Sequence, residues 1–148
     1  MGDPPYFFLR ISLGGGAPRG YVENVAHAIA VVPTSDQATG RIYNICEEPS
    51  LSELAWQSKI AKQMNWQGKF VVLPRGQTPK HLLQTGNAAQ HVVASSERIR
   101  TELGYQDMVE IEEAIQRTIA WEQRNPPSVL DPQQFDYGAE DVALANVP

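Results

Sequence analysis

The chain has 148 residues, 42% of them hydrophobic and 20% charged, with a net charge of −5. That is enough chain for one buried core, and no apolar run approaches the ~18 residues a membrane span needs. One cysteine, Cys46, excludes an internal disulfide. All 12 Lys and Arg lie before residue 128, while Asp131, Asp136, Glu140 and Asp141 follow it. The body is thus near neutral, without the basic stripe that nucleic-acid binding requires.

Taken in order, residues 6–13 (Tyr-Phe-Phe-Leu-Arg-Ile-Ser-Leu) are aromatic and β-branched and predict a strand, broken by the glycines at 14–16. They do not read as a secretory signal, since Arg10 interrupts the apolar stretch. From Val22 the period becomes helical: Val22, Val25, Ala26, Ile29 and Val32 share one face, expected to be the buried one, and Pro33 ends it. Residues 41–46 alternate as a strand. Ser50 and Glu53 have capping-box spacing and predict a helix running to about Asn65. Residues 70–73 predict a short buried strand. Residues 74–90 predict a long irregular crossing with one helical turn near 81–83. A short strand at 91–94 follows, then a helix from Ser95 or Ser96 to Leu103, stopped by Gly104. The last helix starts near Val109, with Ile111, Ala114, Ile115, Thr118, Ile119 and Trp121 at three- and four-residue spacing, and ends at Asn125-Pro126-Pro127. The acidic tail, 128–148, is expected to be extended or weakly ordered. The fold class is therefore α/β: a small mixed sheet with flanking helices.

Catalytic signatures are scarce. The order strand, Gly14-x-Gly16-x-x-x-Gly20, helix, then a strand ending in Glu47-Glu48 has the outline of a dinucleotide site, in which glycines admit a pyrophosphate to a helix N-terminus. The glycine spacing is one residue too long, and Glu23 would set a carboxylate beside the phosphates. A plain glycine turn is the competing reading. No tyrosine is followed four residues later by lysine, and no nucleophile elbow, His-Glu-x-x-His or phosphate-binding loop is present. His27, His81 and His91 lack metal-ligand spacing. Arg19 and Tyr21, just before a helix, offer a cationic fork and a hydroxyl to a small-molecule substrate, or else pair with Glu23. Gln90 and His91, after the long crossing, are further candidates for a pocket mouth. Cys46 is expected to be a small buried hydrophobe, and Arg98 and Arg100 part of a solvated helix face.

Several runs resemble one family in its own order. Residues 19–29 (Arg-Gly-Tyr-Val-Glu-Asn-Val-Ala-His-Ala-Ile) are similar to the "V-x-D-V-A-x-A-I" helix start of NAD-dependent epimerase/dehydratase proteins, the extended short-chain dehydrogenases. Residues 40–45 resemble their "G-x-x-Y-N-V" strand, and 50–61 their "S-x-x-E-L-x-x-x-I-A" helix. Residues 98–105 resemble "R-I-R-x-E-L-G-Y", and 112–127 the closing helix. The resemblance spans 19–127. It implies the substrate-side part of a Rossmann-type protein, preceded here by a strand and glycine turn over 1–18 and followed by the tail. NAD or NADP is implied for the complete family protein. The chain itself has neither the glycine fingerprint nor the Tyr-x-x-x-Lys pair, so it is expected to bind no cofactor alone and to carry no catalytic residue.

Residues 84–90 lack the family's Arg-x-x-Asp, and Ser95 stands where an acid is usual. A smaller substrate than a nucleotide sugar therefore stays open. The expected partners are a cofactor-binding half on another chain or a second copy, in the cytoplasm, with neither nucleic acid nor membrane. The alternatives are a stand-alone interaction or dimerisation module, and a small dinucleotide binder using Gly14, Gly16 and Gly20.

Overall fold

The computed structural model describes residues 6–8, 16–83, 92–129, 131 and 135–146. Within them the chain is mixed α/β and rich in helix. Strand β1 (Tyr6–Phe8) pairs in parallel with β2 (Lys69–Val71), with Phe7 opposite Phe70. The helices, in chain order, are α1 (Val22–Val31), α2 (Glu53–Gln63), α3 (Glu97–Leu103), α4 (Ile111–Arg124) and α5 (Tyr137–Ala145). No described helix is long and apolar enough to cross a membrane.

The main core lies between α1 and α3. Ala28 and Ile99 are fully buried, Tyr105 is nearly so, and Val32, Tyr43, Ile45 and Leu103 pack around them. Polar groups pin this contact. Buried Asn24 donates Nδ2–H to the Val109 carbonyl at 2.8 Å, and its Oδ1 accepts from Met108 N and Val109 N at 3.0 Å each. The Tyr105 hydroxyl donates at 3.1 Å to the Asn24 carbonyl or at 2.9 Å to Asp107. Buried Ser96 exchanges hydrogen bonds with the Cys46 backbone, both at 2.8 Å. Cys46 is buried, as a small hydrophobe should be. Helix α3 stops at Gly104, whose φ of +66° is a left-handed C-cap that glycine adopts without a Cβ penalty.

Four expectations change. First, the stripe Val22, Ala26 and Ile29 of α1 faces solvent, with Val22 70% and Ile29 66% exposed. The core takes the Asn24–Ala28 side instead, because the buried asparagine fixes the rotation of the helix. Second, residues 41–46 and 92–94 form no ladder with any described residue. Their anchors are single bonds, from Cys46 N–H to the Ser96 side chain and from Val92 N–H to the Gly16 backbone carbonyl at 3.0 Å. Third, α2 is capped by Ser52, whose hydroxyl accepts from Ala55 N at 3.2 Å; Ser50 is not the cap. Glu53 then opens the helix rather than closing a box. Fourth, the tail is not extended throughout. Asp136 caps α5 by accepting from Ala139 N, and Ala143 and Leu144 pack on Leu73, Val71 and Leu82. The turn near 81–83 is a 3-10 turn over Lys80–Leu82, and His81 Nε2 lies 2.7 Å from Glu140 Oε1 of α5.

Arg100 departs from a simple solvated face. It pairs with Asp107 at 2.6 Å and stacks on the Tyr105 ring, while Arg98 stays exposed. Burial first, then the Asp107 bond, pushes the Tyr105 phenol up to about 12.

Candidate functional site

Helices α2 and α4 pack against each other, and beside their contact they repeat apolar residues one turn apart: Trp56, Ile60 and Met64 on one side, Ile115 and Ile119 on the other. Along them, and against the segment that enters α1, lies a cleft of about 760 Å³. That volume lies within the range of small-molecule sites, which are mostly apolar with a few placed polar groups. Ion and amide pairs bridge the helices: Lys59 to Glu112, and Gln116 to Gln63 at 2.8 Å.

The segment leading into α1 forms one wall of the cleft. Arg19, Gly20, Tyr21 and Val22 line it, so two of the sequence-derived candidates, Arg19 and Tyr21, meet at this place. Gly20 has a packing reason: a Cβ there would lie 2.9 Å from Val25 Cγ2. Arg19 is already engaged. Its guanidinium pairs with Glu53 Oε2 and lies 4.8 Å from the Trp56 ring centroid. The Tyr21 hydroxyl donates to Glu23 Oε1 at 2.8 Å, and Glu23 binds Arg117 of α4 at 2.7 Å. The Glu23 bond raises the Tyr21 phenol. Glu23 moves the other way, its carboxyl lowered first by that hydroxyl and then by Arg117.

Glu47 also lines the cleft, and the sequence assigned it only a nucleotide-ribose alternative. It follows the 41–46 segment, whose end is tied down by Glu47 N–H to the Arg19 carbonyl at 2.7 Å. Its Oε1 accepts the Tyr21 N–H at 3.0 Å, while Oε2 is buried with no partner among the described residues. Burial raises its carboxyl pKa; the Tyr21 N–H opposes the shift only in part. A chamber of about 10 Å³, room for roughly one water, is lined by Glu47 and by Ser50, whose buried Oγ also lacks a described partner. Glu48, by contrast, turns to α3. It accepts from Ser96 N at 2.6 Å and Ser95 Oγ at 2.9 Å, bonds that hold its carboxyl below the usual range.

Of the remaining candidates, Gln90, His91 and Gly14 lie outside the described residues. Gly16 forms an isolated bridge with Ser52 and accepts from Val92 N. No described group of three His, Cys, Asp or Glu could hold a metal ion. His27 rests against the Tyr105 ring at 5.7 Å. The α4 wall, with Ile115 and Ile119, belongs to a stripe legible in the sequence; that Trp56, Ile60 and Met64 come to lie beside it was not. Searches against protein-family models and curated proteins find no match for this chain.

Proposed function

We propose that the chain is the substrate-side lobe of an NAD(P)-dependent epimerase/dehydratase-like protein, and that the α2–α4 cleft is its substrate pocket. Hydride transfer would use groups supplied by a cofactor-binding half. The observation that carries this reading is the state of segments 41–46 and 92–94. Both are patterned as strands, neither has a ladder partner among the described residues, and Ile42, Val92 and Val93 are 82%, 44% and 62% exposed. Some of their backbone groups are tied down locally, Arg41 N–H to the Ala38 carbonyl, Cys46 N–H to Ser96 Oγ and Val92 N–H to the Gly16 carbonyl, but an unladdered segment with exposed β-branched residues still offers a place for a further strand. The solvent-facing Val22, Ala26 and Ile29 stripe supports the same reading, since exposed apolar patches mark surfaces that a partner covers.

The α1 N-terminus bears on the alternative dinucleotide site at Gly14, Gly16 and Gly20. A phosphate would need the N–H groups there, yet Tyr21 N–H is taken by the Glu47 carboxylate and Glu23 occupies the first turn. The interaction-module reading is favoured by the same exposed stripe and differs only in lacking a substrate. Calorimetric titration with NAD and NADP should detect no micromolar binding. Micromolar binding of either, abolished by Gly16→Trp, would establish the dinucleotide alternative instead. Gel filtration should give a self-associating or partner-seeking species, and a clean monomer with slow amide exchange across 41–46 would count against any missing sheet.

A further inference from the structure

The cleft's polar groups select a class of ligand. Arg19 is the one cation among its described lining residues, and it is held by Glu53 and flattened on Trp56. The other ionisable side chains lining the cleft are Tyr21, Glu47 and Glu122. A phosphorylated or carboxylated ligand would therefore meet two acids, an engaged arginine and an apolar wall, with the desolvation of its charge uncompensated. A carboxylate has about four acceptor positions, and Glu47 uses one, for Tyr21 N–H. Oε2 is buried, so what Glu47 can still take from the cleft is a donor at the remaining acceptor position of Oε1.

We infer that the cleft binds an uncharged molecule with a ring-bearing or aliphatic body and one hydroxyl or N–H donor. The body lies between Trp56 and Ile60 of α2 and Ile115 and Ile119 of α4, and the donor binds the Glu47 carboxylate. Glu47 is then a specificity-determining residue. This rests on the substrate-side reading and narrows it, because it excludes nucleotide sugars and other phosphate esters. It also fits the raised pKa of Glu47, since a group in an apolar wall gains from any hydrogen bond that stabilises its charged form.

Three probes of one ring system separate the possibilities: 2-naphthol, with a donor; 2-methoxynaphthalene, without one; and 2-naphthyl phosphate, an anion. Each is titrated into the full chain, with amide shifts at Gly20, Tyr21 and Ile115 as the readout. 2-Naphthol should bind at least tenfold more tightly than the ether, and the phosphate ester most weakly. Glu47→Met, which keeps length and removes the acceptor, should bring naphthol and ether within about threefold. Thr118→Trp, which fills the cleft from α4, should abolish all three interactions. Equal affinities, or preference for the phosphate, would overturn the inference and leave the cleft a ligand site. No binding at millimolar probe would overturn the cleft as a substrate pocket as well. Because the wild-type series alone can fail, an unfolded Glu47→Met chain does not shield the proposal.

Discussion

Helix pairs α1/α3 and α2/α4 both make contact, yet the first contact is sealed around a buried cluster and the second borders a cleft. In the first, Ala28 and Ile99 have no exposure and the contact is tied by Asn24, Ser96 and Tyr105. In the second, Ala114 and Ile115 of α4 are buried but no residue of α2 is, and polar bridges such as Lys59–Glu112 are part-exposed. Directional bonds fix the first contact. In the second, Trp56, Ile60 and Met64 line the cleft beside the contact, and a solvated ion pair adds little to it. The sealed pair is the frame, and the pair that borders the cleft carries the proposed site.

The comparison breaks most sharply at Asn24. Asn24→Ala leaves the Met108 and Val109 amides and the Val109 carbonyl without their partners, at about 1–3 kcal/mol for each buried group. Urea denaturation should show a loss of about 3 kcal/mol or more, with cooperative collapse of both helix pairs.

Tyr105 comes next. Its phenol sits at about 12 in the fold against 10 when unfolded, so the unfolded chain loses its proton first. The stabilisation is complete below pH 10 and disappears as pH rises through 12, a change of about 2–3 kcal/mol. Denaturation from pH 9 to 12 should reveal this slope, and Tyr105→Phe should flatten it. A smaller, local effect is expected in the tail. Leu144→Ala should cost about 1 kcal/mol and speed amide exchange in α5 while α1 keeps its protection.

At the cleft the pH dependence keeps the same sign, but here a substitution is expected to stabilise. A carboxyl raised above its ordinary value is more favourable protonated, so the fold gives up stability as pH rises through the Glu47 pKa. Glu47→Gln, neutral throughout, should raise Tm at pH 7 and leave it unchanged at pH 4; lower Tm at pH 7 would mean that the charged carboxylate is itself a fold determinant. Smallest of all, Arg117→Ala should change stability by no more than about 0.5 kcal/mol, since its pairs with Glu23 and Glu113 are exposed.

By itself the sequence determined the local elements. Periodicity marks α1 and α4, a serine–glutamate spacing marks the start of α2 to within two residues, Gly104 marks the end of α3, and the aromatic and β-branched residues at 70 and 71 mark β2. Those signals are encoded within a turn or two of the chain, where backbone sterics and neighbouring side chains act. Arg19 and Tyr21 were visible as candidates for the same local reason: they precede a helix. Tertiary structure alone decided which face of α1 is buried, because Asn24 finds its partners more than 80 residues away. It likewise decided that residues 41–46 find no ladder partner among the described residues, that Asp136 starts a helix which docks on Leu73, and that Glu47 stands in an apolar wall. Each depends on what another segment offers in space: a ladder partner, an apolar seat or a donor. No spacing within one segment records that supply.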